Sequence, residues 1–259
     1  MIRPRTLCLI PHYFGPVENV LGGFSGGSHD EARRARRERV VRRAITWIKR
    51  LSSIMDLEIA VGGIQGKNIL PIDIDYSGRI ASSFHILWHL LADAQRQFDQ
   101  YDYILVLEDD ILVPRRTIRR MVLAAEELAG TQDIIFPNRI ELAFGIPVAV
   151  DLIALPGWKG QSITWQSRTW YEAINPHSAF LFLGRRQCDK FLEIDFSLPI
   201  RTIGGEFTTS ALERAHSGYR LFREKRAIPR HCIFHQDSWC MRKGTSRLRI
   251  IERFVRGYA

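Results

Sequence analysis

Hydrophobic positions along this chain alternate between short continuous runs and longer stretches with helical spacing. Residues 6–11 form the first short apolar run, which predicts a buried strand. Ser28 and Glu31 have capping-box spacing, so a helix is expected to start at Ser28. Val41, Ala44, Ile45, Ile48 and Leu51 recur at its core-facing intervals. Arg33, Arg34, Arg36, Arg37, Arg39, Arg42 and Arg43 crowd its earlier turns and are expected to stay in water. Residues 57–61, closed by Gly62 and Gly63, predict a second strand, and 69–74 a third.

A helical pattern then runs from residue 80 to about 98, and 103–107 (YILVL) reads as a parallel strand buried on both faces. That strand leads directly into Glu108, Asp109 and Asp110. Pro114 suits the first turn of the following helix, which is expected to end near Gly130, and residues 133–137 predict another strand. Between 141 and 170 periodicity gives way to sequence rich in Pro, Gly and Trp, a long segment of the kind more often functional than idle. It is expected to form the acceptor side of a ligand site. Order returns with a strand at 179–183, a helix at 186–192, a Gly204-Gly205 loop and a helix over 206–216 closed by Gly218. Alternating strands and helices imply an α/β fold with a central, mostly parallel, Rossmann-like sheet flanked by helices.

The length of 259 residues fits one domain with one core, and 46% hydrophobic with 25% charged residues argues against disordered, fibrous or disulfide-dense classes. Lys plus Arg exceed Asp plus Glu, 37 − 28 = +9, an excess that commonly accompanies an anionic partner. Cys8, Cys188, Cys232 and Cys240 form no CxxC pair, so reduced thiols and a cytoplasmic location are expected. No stretch approaches the roughly 20 apolar residues of a membrane span. The arginine-rich first helix and the basic tail over 242–259 would suit peripheral attachment to an anionic membrane surface on its inner face.

Three consecutive carboxylates at the carboxyl end of a central strand are costly unless a cation neutralises them. Mg²⁺ or Mn²⁺ takes one or two protein carboxylates and completes its shell with diphosphate oxygens, so a short acidic cluster suffices. The GGFSGG loop at 22–27 lacks the Lys-Ser/Thr ending of a P-loop and reads as a connector. Trp158, Trp165 and Trp170 offer either aromatic faces to a sugar or core packing. Trp239, Arg242 and Lys243 are expected to close over a diphosphate. Read by itself, Glu206 is a first-turn carboxylate favoured by the helix dipole, and His235 is a structural histidine or a ligand, with His231 its competitor.

The segment from Gly78-Arg79-Ile80-Ala81 through the long helix to the EDD triplet and Pro114 resembles the corresponding part of N-acetylglucosaminyltransferase I and related GT-A glycosyltransferases. By that resemblance EDD is a variant DXD motif: Asp110 binds the metal, and Glu108 and Asp109 contact the ribose region of the nucleotide. A second stretch resembles the later half of family 2 glycosyltransferases: Gly204-Gly205-Glu206, Leu212-Glu213-Arg214, Gly218-Tyr219-Arg220, Ala227-Ile228-Pro229, then His235. This likeness implies Glu206 as general base in an inverting transfer and His235 near or on the metal. Pro11, His12 and Tyr13 resemble the loop that lines the nucleotide base. The aspartate these enzymes place after the next strand is replaced by Gly62-Gly63, for which Asp73 or Asp75 is the substitute. Arg79 would pair with the acidic triplet or a phosphate.

The resemblance therefore implies one GT-A domain, with residues 1–137 as the nucleotide-sugar half, 138–241 as the acceptor and catalytic half, and 242–259 as a basic tail. The implied reaction moves a sugar from a nucleotide-diphosphate sugar, first of all a UDP-sugar, to a carbohydrate, lipid-linked or small-molecule acceptor. The QxxRW signature of processive synthases is absent, which favours single-sugar transfer. A nucleotidyltransferase on a related fold and a basic nucleic-acid binder are the rival readings, although no nucleic-acid module is present and nucleic acid is not the expected partner.

Overall fold

The first apolar run forms strand β1 (Arg5–Pro11), whose five central residues are buried. In this computed structural model the described residues are 3–14, 31–78, 86–131, 133–143, 146–150, 158–173, 180–184, 192, 195, 220–224 and 231–236. Helix α1 (Glu31–Lys49) follows and buries Val41, Ala44 and Ile48, with Leu51 just beyond, so the expected stripe packs inward. Strand β2 (Asp56–Gly63) and the two-residue β3 (Ile74–Asp75) come next, then helix α2 (Ile86–Gln97) and β4 (Tyr103–Leu107), in which every residue is buried. A short strand β5 (Ile111–Leu112), helix α3 (Arg115–Glu127) and β6 (Asp133–Ile135) complete the first half.

The third strand is shorter than the expected 69–74 because its backbone groups find other partners. The Ile69 and Leu70 amides donate to His12 Nε2 at 2.8 and 3.1 Å. Asp73 reaches the sheet edge with its side chain, Oδ2 accepting from the Val61 amide at 2.8 Å. Ladder pairing therefore begins only at Ile74, opposite Gly62.

The stretch read as aperiodic contains four strands: β7 (Arg139–Ala143), β8 (Ile146–Val150), β9 (Trp158–Trp165) and β10 (Arg168–Ala173). Both pairs are antiparallel and both carry a register irregularity, near Glu141 and Leu142 in one and between Tyr171 and Ala173 in the other. Each irregularity breaks the period-two alternation that marks a strand in sequence. Strands β11 (Phe180–Gly184), β12 (Arg220–Arg223) and β13 (Ile233–His235) follow.

The central sheet runs β11-β4-β1-β2-β3, and its four strands other than β11 are mutually parallel. Strand β11 closes one edge antiparallel to β4. This is the expected α/β architecture with a mostly parallel Rossmann-like sheet. Helix α2 packs on β1 and β2 through Ile86, Leu87, Leu90, Leu91 and Ala94, and α3 lies on β11 and β6 through Ile118, Met121 and Ala124. Fully burying such a side chain contributes about 1.5–3 kcal/mol, so this core is the main source of stability. Two smaller sheets, β6-β12-β10-β9 and β5-β13-β7-β8, extend the fold.

Gly62 marks how tightly α2 sits on the sheet: a Cβ there would lie 2.8 Å from Leu90 Cδ2 and 2.9 Å from Tyr76 Cε2. Both neighbours are themselves fully buried. Gly62→Ala is therefore expected to destabilise the protein by about 1–3 kcal/mol through overpacking, read as a lower urea midpoint with unchanged slope.

Candidate metal centre at the strand ends

Strand order reverses at β1, with β2 on one side and β4 on the other, and the crevice beyond the carboxyl ends at such a reversal is where open α/β sheets bind ligands. His12 follows β1, and Glu108, Asp109 and Asp110 follow β4, so both segments meet at this point. A tight turn, with the Ile111 amide donating to the Glu108 carbonyl at 3.1 Å, feeds into β5. Strand β13 pairs with β5 and sets His235 opposite Ile111, next to Asp110. Thr117 Oγ1 donates to the Cys232 carbonyl at 3.0 Å and fixes the approach of β13 to α3.

Three side chains converge there. Glu108, Asp110 and His235 each offer one ligand atom, and these atoms lie within 4.8 Å of one another. His235 Nε2 is 3.1 Å from Asp110 Oδ2. The resemblance assigns Glu108 to the ribose; in the structure its carboxylate lies in the group with Asp110 and His235. Of the two competing histidines, His235 belongs to this cluster. His231 stands in another group, 3.2 Å from Glu224 Oε2 and beside Arg120, where burial pushes its imidazole below the ordinary histidine range.

Asp109 is held from two sides by residues outside that group. His12 is fully buried, and its Nε2 accepts from the Ile69 and Leu70 amides, which leaves the ring proton on Nδ1 to donate to Asp109 Oδ2 at 2.5 Å. The expected contact of His12 with a nucleotide base is thus replaced by a supporting one, since the ring has no exposed surface and both nitrogens have protein partners. Arg37 supplies the other support: Nη2 donates to Asp109 Oδ1 and Nη1 donates to Asp110 Oδ2 at 2.8 Å.

Arg37 corrects the expectation that the arginines of α1 all stay in water. With Asp109 and Asp110 only 3% and 1% exposed, two adjacent carboxylates need compensating positive charge and donors. Arg34 and Arg37 continue the stripe of Val41, Ala44, Ile48 and Leu51 back by further turns, and that helical phase was the available signal. Arg34 lies over the Phe14 ring at 5.7 Å.

Tyr13 is half-buried and packs against the main core, and Pro11 ends β1 opposite Gly62. Asp73 is tied to the Val61 backbone as described, and Asp75 is held below the usual carboxylate range by hydrogen bonds from Ser77 and the Gln65 amide. Trp165 and Trp170 are core residues: Arg120 sits 5.2 and 4.7 Å from their ring centroids, and Trp165 Nε1 donates to Glu127 at 2.6 Å. Buried at 6% and 2% exposure, they present no open face to a sugar. Cys8 and Cys232 are free thiols, with burial pushing Cys232 up to about 12. Arg79, Glu206, Trp239, Arg242, Lys243, Cys188, Cys240, the 22–27 loop, the 204–219 stretch and the 242–259 tail lie outside the described residues, as does the side chain of Trp158. Among the described residues no helix is long and apolar enough to cross a membrane.

Sheet order and cluster together define a mixed α/β protein of Rossmann-like topology with a candidate metal centre at its switch point. No family model matches the chain, and no curated protein matches it at a significant level. Solved structures do match. One is a 4-diphosphocytidyl-2C-methyl-D-erythritol synthase, 14% identical with a TM-score of 0.44, the match covering 94% of this chain and 99% of that one. Another is GalNAc-T7 with UDP, GalNAc and Mn²⁺, 11% identical with a TM-score of 0.46, covering 97% of this chain and 48% of that one, so this chain spans about half its length. At such identities and scores the likeness carries no statement about chemistry, which rests on the site itself.

Proposed function

We propose that the chain is a metal-dependent glycosyltransferase that moves a sugar from a nucleotide-diphosphate sugar, UDP-sugars first, to an acceptor hydroxyl, with inversion and one sugar per encounter. The observation that supports this most is the Glu108, Asp110 and His235 cluster at the switch point of a mostly parallel sheet. Two carboxylate oxygens and one imidazole nitrogen suit a divalent ion, and the nitrogen favours Mn²⁺ over Mg²⁺, which takes oxygen ligands. When bound, the ion supplies positive charge for the departing diphosphate.

Around that centre the chain's own residues hold and orient. His12 and Arg37 hold the buried Asp109 beside the centre, and by the resemblance Glu108 contacts the ribose region of the nucleotide. Glu206, carried over by resemblance, takes the acceptor proton as its oxygen attacks the anomeric carbon. Arg79, Arg242 and Lys243 add positive charge for the diphosphate, and Trp239 covers it. Residues 1–137 then form the donor half, and 138–241 the acceptor half for a carbohydrate, lipid-linked or small-molecule hydroxyl. The tail over 242–259 and the exposed arginines of α1 favour an anionic membrane surface. Co-sedimentation with anionic but not neutral vesicles, fading at high salt, is the expected result for that surface.

The test is a screen of nucleotide sugars with Mn²⁺, reading release of nucleoside diphosphate. Pyrophosphate release from a nucleoside triphosphate would mean a nucleotidyltransferase, since the same centre serves both chemistries. A salt-sensitive gel shift without turnover of either substrate class would move the protein to nucleic-acid binding.

A further inference from the structure

Arg37 sits where a divalent ion would have to compete with it. The oxygen that accepts its hydrogen bond, Asp110 Oδ2, is the one that stands 3.1 Å from His235 Nε2. Asp110 also belongs to the only group of potential metal ligands found among the described residues. The guanidinium is 18% exposed, and two positive groups within about 4 Å of each other in so desolvated a place repel strongly. A metal that takes Asp110 Oδ2, the oxygen beside His235 Nε2, and a guanidinium on that same oxygen therefore exclude one another.

The helix that carries Arg37 is tied down independently. Gln236 Nε2 donates to the Val40 carbonyl at 3.0 Å, while the Gln236 amide donates to the Asp110 carbonyl at 3.1 Å. One residue thus bridges the backbone of α1 and that of the acidic turn. With α1 tied to the acidic turn through Gln236, entry of an ion at Asp110 Oδ2 is met by rotation of the Arg37 side chain.

Resting on the metal reading of the cluster given above, we infer that Arg37 is an internal counter-cation that the metal displaces and the nucleotide then recruits. Without metal it bridges Asp109 and Asp110. With metal it gives up Asp110 and, from the same anchored helix, offers its planar fork to a phosphoryl group, the anion that guanidinium geometry matches best. Metal and diphosphate are thereby coupled: the metal alone must evict Arg37, and the diphosphate takes up the evicted group.

The test measures Mn²⁺ affinity by electron paramagnetic resonance without nucleotide, then UDP affinity at saturating Mn²⁺, for the parent, Arg37→Gln and Arg43→Gln. Arg43 is exposed on the same helix, so its variant removes the same net charge without touching the carboxylates. Arg37→Gln is expected to bind Mn²⁺ alone about tenfold more tightly and UDP about tenfold more weakly, with Arg43→Gln at parental values in both. Equal or weaker Mn²⁺ binding by Arg37→Gln, or the same shift in Arg43→Gln, overturns the inference. Equal UDP affinity in parent and Arg37→Gln overturns its second half. Should Arg37→Gln fold poorly, Arg37→Lys keeps the charge and loses the fork: parental Mn²⁺ affinity with weakened UDP binding supports the inference, and tightened Mn²⁺ binding overturns it. Absence of Mn²⁺ binding in every protein tested overturns the metal reading itself, an outcome distinct from equal binding in all.

Discussion

Asp110→Asn is expected to lose Mn²⁺-dependent donor binding by at least about 100-fold, because even outer-shell partners of a metal typically contribute 10–100-fold in affinity and Asp110 is assigned a direct ligand. The substitution keeps shape and volume and removes one charge from a residue that is 1% exposed. Arg37 retains Asp109 as its partner, and the Gln236 amide still donates to the residue 110 carbonyl, so the fold should survive. The measurement pairs Mn²⁺ titration with thermal melting: lost affinity with a melting point near the parent's carries the assignment, whereas unchanged Mn²⁺ affinity removes Asp110 from the centre.

Glu206→Gln tests the other half of the reaction, which the described residues do not include. A general base typically contributes 10²–10⁴ in rate, so the variant is expected to turn over about 10²-fold more slowly or worse, with donor and Mn²⁺ affinities at parental values. The split between binding and rate is the informative part, since a residue that merely supported the donor site would shift affinity as well. Equal turnover by variant and parent would take Glu206 out of the mechanism and return it to a first-turn carboxylate at a helix start.

Where local pattern and tertiary role coincide, the fold could be read in advance. The continuous apolar runs of β1 and β4 are buried on both faces, which is why their sequence needs no alternation. The acidic triplet was visible because it follows such a strand without a break. The β9–β10 hairpin was not, because its two turn residues, Gln166 and Ser167, hold φ values of 49° and 57°, a left-handed geometry that Asn-Gly usually announces. The support of Asp109 was hidden for another reason. His12 and Arg37 lie 97 and 72 positions from it, and no local spacing encodes a partner that distant. Arg37 also looked like one of many solvated arginines until its helical phase was set against the buried stripe.

The separation of these groups along the chain also orders their assembly in time. Arg37 and Asp110 are 73 positions apart, whereas His235 is 125 positions beyond Asp110 and arrives on a strand close to the end of the described chain. A chain emerging from its amino end therefore owns the acids and their guanidinium long before the imidazole, and contacts of such long range form late in folding. Docking of β13 then brings in His235, so the candidate ligand set is complete only once that strand is in place.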